Sequence, residues 1–107
     1  MDRGNAALAP QFDALHPAVL RLIAATTKGA DQHGRRTGVC GGLASDLAAA
    51  PILIGLGVRS LSSTASQIAD LKTVIGTLTL DQCQRLAAKA LAATSAADVR
   101  ELSLGEP

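Results

Sequence analysis

Few side chains in this sequence are suited to reactive work, and the clearest is a thiol. Cys40 stands in TGVCGGLASD, between a short apolar run and two glycines. A thiol with an ordinary pKa of about 8.5 is mostly protonated near neutrality, so it can donate a proton or attack as thiolate. Flanking glycines let a substrate approach the backbone closely. The plainer reading makes Cys40 a small hydrophobe at a tight strand-to-helix turn. Arg3, in MDRGN, offers a planar fork suited to phosphate or carboxylate, although most loop arginines are simply solvated. Cys83 falls on an apolar helical stripe and reads as core. His16 reads as a helix-start residue and His33 as a helix-end one, where a cation favours the dipole. Asp46 reads as a cap rather than an acid.

The two cysteines form no CxxC pair, and neither histidine lies near them in sequence. No structural metal site is expected, and a disulfide is possible without being demanded. A reducing cytoplasm is the simplest setting. The chain has 107 residues, of which 48% are hydrophobic, yet Phe12 is its one aromatic, so the core must be built from Leu, Ile, Val and Ala. At this length it is one domain at most, or a piece of a larger one. Ten basic and nine acidic residues are dispersed to a net charge of +1, which points to no nucleic-acid partner and no acidic tail. The N-terminal MDRGNAALAP has no basic region followed by an apolar core, so no secretory signal is read there. The most apolar window, AAAPILIGLGV, is too short for membrane insertion and carries Pro51, Gly55 and Gly57.

The elements that would carry these residues follow from periodicity. Residues 1–15 read as a loop arm. Val19, Leu20, Leu22, Ile23 and Ala24 recur on a helical period after Pro17, and Gly34 ends that helix, predicted over 17–33. Residues 36–40 read as a buried strand, turned by Gly41 and Gly42, with Ser45 or Asp46 capping the next helix. Pro51 either sits late in the first turn of that helix or begins it, and Gly57 closes it. Residues 58–62 are a second strand. Ile68, Leu71, Lys72, Ile75 and Leu78 mark a helix with one apolar face. Thr79 and Gln82 form a capping box for another, whose stripe is Leu80, Cys83, Leu86, Ala87, Ala90 and Leu91. Ser95–Leu104 is a short last helix. Alternating strands and helices indicate parallel strands joined by right-handed crossovers. Two such strands want neighbours on both edges, so the chain reads as an excerpt of a larger α/β body.

The segments DRGN, HPAVLRLI, GVCGGLASD and LIGLGV occur in register, and with them residues 2 to about 104 resemble the C-terminal part of enzyme I of the phosphoenolpyruvate:sugar phosphotransferase system. The enzyme I module of multiphosphoryl transfer proteins is equally similar, and pyruvate phosphate dikinase more distantly so. The resemblance implies a (β/α)8 TIM barrel that binds phosphoenolpyruvate. In that family the phosphoryl group goes to a histidine on a separate domain and then to the carrier protein HPr. The resemblance makes Arg3 a substrate-binding residue and Cys40 the proton donor that turns enolpyruvate into pyruvate. It also implies magnesium, whose acidic ligands lie upstream of DRGN in the family and have no counterpart here.

A barrel of this kind needs about 250 residues. The expected fold is therefore α/β, a C-terminal fragment of the barrel comprising its last two strands with surrounding helices. Residues 1–107 form a partial phosphoenolpyruvate-binding domain, with a loop arm over 1–15, βα units and C-terminal helices over 16–104, and a tail over 105–107. The phosphoacceptor histidine and HPr-binding helices are also missing, and neither His16 nor His33 occupies the acceptor motif. Arg59-Ser60 replaces the usual acidic start of the second strand, and Ala69 replaces a proline. Met1 directly before DRGN reads as an internal start or a disrupted frame. The expectation is a cytoplasmic phosphotransferase fragment with negligible activity alone. The rivals are an interaction module that self-associates or joins a complementary N-terminal fragment, and a decayed remnant.

Overall fold

The computed structural model describes residues 13–40, 43–63 and 65–105. Arg3, the rest of the arm up to Phe12, and the Gly41-Gly42 pair lie outside the described residues. Helix α1 (Pro17–Gln32) is followed by strand β1 (Gly38–Cys40), a single 3-10 turn (Leu43–Ser45) and helix α2 (Ala49–Gly55). Strand β2 (Ser60–Ser62), α3 (Ala65–Gly76), α4 (Leu80–Ala92) and α5 (Ala96–Gly105) complete the order, which is the order expected from the sequence.

The helices begin and end for local reasons. At the start of α1, Ala18 N–H donates to His16 Nδ1 (3.1 Å) and Pro17 fills the first helical position, where no donor is needed. The α1 and α2 ends both use a glycine with positive φ, Gly34 at 69° and Gly57 at 106°. At each, the glycine N–H and the next N–H fold back onto the last helical carbonyls: Gly34 to Asp31 and Arg35 to Ala30, Gly57 to Ile54 and Val58 to Leu53. Pro51 is the third residue of α2, still within the first turn, where no intrahelical N–H bond is lost. The Thr79 capping box of α4 is complete: Gln82 N–H donates to Thr79 Oγ1 (3.1 Å) and Thr79 N–H to Gln82 Oε1 (2.9 Å).

The two strands pair in parallel, Gly38 beside Ser60, Val39 beside Leu61 and Cys40 beside Ser62. The crossover between them contains the 3-10 turn and α2. Alternation puts Val39 and Leu61 on one face, packed against the core, and Gly38, Cys40, Ser60 and Ser62 on the other. The expectation of a buried strand over 36–40 is corrected here. The strand is shorter, Gly38–Cys40, with Thr37 adding one further bond through its carbonyl to the Arg59 N–H, and Gly38 and Cys40 are exposed because nothing among the described residues covers their face.

Helix α2 is the centre of the packing. Ala49, Ala50, Pro51, Ile52 and Leu53 are all buried, as an apolar helix must be when it lies inside a core. Leu20, Leu86, Ala87, Ala90 and Val99 close around it from α1, α4 and α5, with Leu15 ahead of α1 and Val58 just past α2. The approach of α4 is set by Gly55, where a side-chain carbon would meet the Cys83 carbonyl. Thr27, the buried polar residue of α1, is satisfied by the Leu56 carbonyl at 2.6 Å.

Candidate functional site

Cys40 ends β1 and is exposed, side by side with Ser62 at the end of β2. Both therefore lie at the carboxyl edge of a parallel sheet, where ligands of α/β proteins sit. The face they share carries small groups, Gly38 and Ser60 besides Cys40 and Ser62, so it leaves room for a ligand above it. An exposed thiol in this place can deliver a proton to a molecule lying over the strand ends. Cys83 is the opposite case: it is buried on α4, and burial pushes its thiol up, keeping it protonated and inert. His16 is occupied as a helix cap and His33 terminates the same helix through its backbone.

Asp46 lies six residues beyond Cys40. Its Oδ1 accepts from Ala48 N–H (3.0 Å) and its backbone carbonyl from the N–H groups of Ala49 and Ala50 (3.0 and 3.1 Å), so it braces the turn into α2, whose N-cap position is Ala48 rather than Asp46. It also has a partner that local sequence does not disclose. Arg100 of α5 donates to Asp46 Oδ2 (2.8 Å) and, through Nε and Nη2, to both oxygens of Asp13 (2.7 and 2.9 Å). The guanidinium hydrogen-bonded to Asp13 holds that carboxyl below the usual range, and the two carboxylates push the guanidinium up. Arg100 and Asp13 were not legible as a pair, since 87 residues separate them and neither sits in a motif.

These residues do not fit a magnesium site. No group of three or more His, Cys, Asp or Glu side chains is arranged to hold a metal among the described residues. The carboxylates brought together, Asp13 and Asp46, are already ion-paired with Arg100. An apolar groove of about 400 Å³ lies elsewhere, between α3 and β2, lined by Ile54, Val58, Leu61, Ile68, Leu71 and Ile75 with Arg59 and Lys72 beside them. It does not include Cys40. Ile68 and Ile75 remain 41% and 36% exposed there, so the apolar face predicted for α3 exists and is only partly covered. Among the described residues no helix is long and apolar enough to cross a membrane.

Comparison with known proteins decides what this arrangement is. The family described as PEP-utilising enzyme, PEP-binding domain, matches residues 1–80, which includes both strands and Cys40. The chain belongs to this family. It is 47% identical over 102 residues to the multiphosphoryl transfer protein of Xanthomonas campestris, covering 95% of this chain and 12% of that protein. It is 41% identical over 101 residues to the phosphoenolpyruvate-protein phosphotransferase of Mycoplasma genitalium, covering 94% and 18% respectively. A protein of Escherichia coli named for the phosphoenolpyruvate-dependent phosphotransferase system is 37% identical over 100 residues, 94% of this chain and 13% of its own length. The chain thus spans less than a fifth of the length of each of these relatives. The α/β character of this PEP-binding-domain member agrees with the sequence reading, on a two-stranded parallel sheet.

Proposed function

We propose that this chain is the C-terminal excerpt of a phosphoenolpyruvate-binding (β/α)8 barrel from a cytoplasmic phosphoenolpyruvate–protein phosphotransferase, in which Cys40 is the proton donor. The observation that carries the reading is an exposed thiol at the carboxyl end of one of two parallel strands, in a member of the PEP-binding family. In the complete enzyme the phosphoryl group leaves phosphoenolpyruvate for a histidine on another domain, and the enolate of pyruvate remains. The Cys40 S–H gives its proton to the methylene carbon, which becomes the methyl of pyruvate, and the thiolate regains a proton from water. Arg3 binds the anionic substrate. HPr then accepts the phosphoryl group from the histidine, in a pathway of sugar uptake. Magnesium, where the family uses it, is held by residues outside this chain.

The chain by itself does not transfer phosphoryl groups on this reading, because two strands cannot enclose a substrate. Its uncovered edges and the groove beside α3 favour a second role that is compatible with the first, joining the remainder of a barrel supplied by another chain. The test is a graft. This chain replaces the matching 102 residues of the Xanthomonas relative, and phosphoenolpyruvate-dependent phosphorylation of HPr is measured. The graft is expected to be active and the isolated chain inactive. A folded graft without activity, or activity in the isolated chain, overturns the proposal.

A further inference from the structure

Helix α5 makes the best-defined polar connection in the described molecule, and it ends on the segment that follows Cys40. Arg100 reaches Asp13 with two bonds (2.7 and 2.9 Å) and Asp46 with one (2.8 Å), across 87 and 54 residues of chain. One turn further along the same helix, Ser103 Oγ donates to the Ala48 carbonyl at 2.6 Å. Two side chains of α5 therefore hold the segment just ahead of α2 at neighbouring points, Asp46 and Ala48. That stretch is also braced internally, since Asp46 N–H donates to Leu43 (3.2 Å) and the Asp46 carboxylate receives Ala48 N–H. Asp13, the other partner, is fixed by Leu15 N–H (3.0 Å) just ahead of α1.

The burial of this cluster distinguishes it from a surface pair. The side chains of Arg100, Asp13 and Asp46 are 37%, 30% and 24% exposed, against 70% and 75% for the Arg85–Asp81 pair on α4. An exposed pair of the latter kind contributes little. A planar fork that spans two carboxylates from different segments fixes geometry, and a lysine cannot reproduce it with a single point charge.

We infer that Arg100 is a positioning residue for Cys40: by clamping Asp46 to Asp13 it fixes residues 43–48, the described part of the chain between the Cys40 strand end and α2. Its bearing on catalysis rests on Cys40 being the proton donor, whereas its hold on the connection does not. A thiol that must meet one carbon atom tolerates little displacement, and a shift of about 1 Å can cost on the order of a hundredfold in rate. Residue 100 lies beyond the family match, which ends at residue 80.

The experiment uses amide hydrogen exchange on the whole chain, comparing residues 43–48 with residues 83–90 of α4. In Arg100→Lys, exchange over 43–48 is expected to accelerate at least about tenfold while 83–90 changes less than about twofold. Equal acceleration in both segments, as a purely global loss of stability gives, overturns the inference, as does no change in either. Arg100→Ala gives the larger effect, and where it unfolds the chain the lysine variant carries the comparison. In the active graft, Arg100→Lys is expected to lower kcat roughly tenfold with KM for phosphoenolpyruvate unchanged. An unchanged kcat there contradicts the positioning role. A graft that is inactive before any substitution instead contradicts the function proposed above, and the exchange comparison still decides whether Arg100 holds the connection.

Discussion

Cys40 and Cys83 share a side chain and little else. The first is exposed at the end of β1, and the second is 3% exposed on α4 with its thiol pushed up by desolvation. A water-soluble alkylating reagent should therefore modify one thiol in the native chain, at Cys40, and two in denaturant; two rapid modifications under native conditions would contradict the described core. Asp13 supplies a second prediction. Its carboxyl is lowered chiefly by the Arg100 hydrogen bonds, while burial opposes the shift. A carboxyl lowered on folding adds stability that is complete above its unfolded pKa, about 3.9, and is lost as pH falls through the lower folded value. Urea midpoints should drop over that acid window in the native chain and less so in Arg100→Ala. At neutral pH that variant should lose about 1–2 kcal/mol, a charged hydrogen-bond value discounted for solvent access. The types and spacing of residues disclosed Cys40 as a strand-end thiol and Cys83 as core. They could not disclose Arg100, because a lone arginine in ADVREL looks like any solvated cation until folding brings Asp13 and Asp46 to it.

Among the elements, α2 and its neighbours carry the stability. Local signals located α1, the end of α2 and α4, since Pro17, Gly34, Gly57 and the Thr79 box act through bonds made within a few residues, whereas the apolar face read for α3 ran to Leu78, past the helix's end at Gly76. The strands were harder, because three-residue strands depend on pairing with a distant segment, and β1 begins at Gly38 rather than at residue 36. Close helix packing is invisible to such signals, and two glycines show the difference. Replacing a helical glycine by alanine ordinarily stabilises by up to about 1 kcal/mol. Gly29 of α1 has open space beside it, so Gly29→Ala should follow that rule. Gly55 faces the Cys83 carbonyl and the Ala87 side chain, so Gly55→Ala must push α4 away from α2. Denaturant unfolding should show a loss of roughly 1–3 kcal/mol at Gly55 and a gain at Gly29. A gain at both sites would mean that the two helices are not held at this separation.

The whole molecule is a well-formed core attached to an unfinished sheet. Its core comes mainly from α1, α2, α4 and α5 and the residues flanking them, whereas among the described residues the strands pair only with each other and the apolar face of α3 is partly covered. The sequence announced this imbalance, because two short strands alternating with helices imply neighbours that 107 residues cannot supply. Membership of the PEP-binding family, over a small fraction of each relative's length, agrees with that imbalance, and in the barrel proposed above the strand edges and the groove are surfaces for the rest of the body to cover. On the function proposed above, the exposed thiol acts only within that barrel. The most direct measurement is made on the graft with phosphoenolpyruvate stereospecifically labelled at its methylene carbon, following the configuration of the pyruvate methyl group formed in isotopic water. With Cys40 present the new hydrogen should arrive on one face, and in Cys40→Ala turnover should fall on the order of a hundredfold or more with facial selectivity lost. Undiminished turnover on the same single face without the thiol would show that the proton comes from elsewhere.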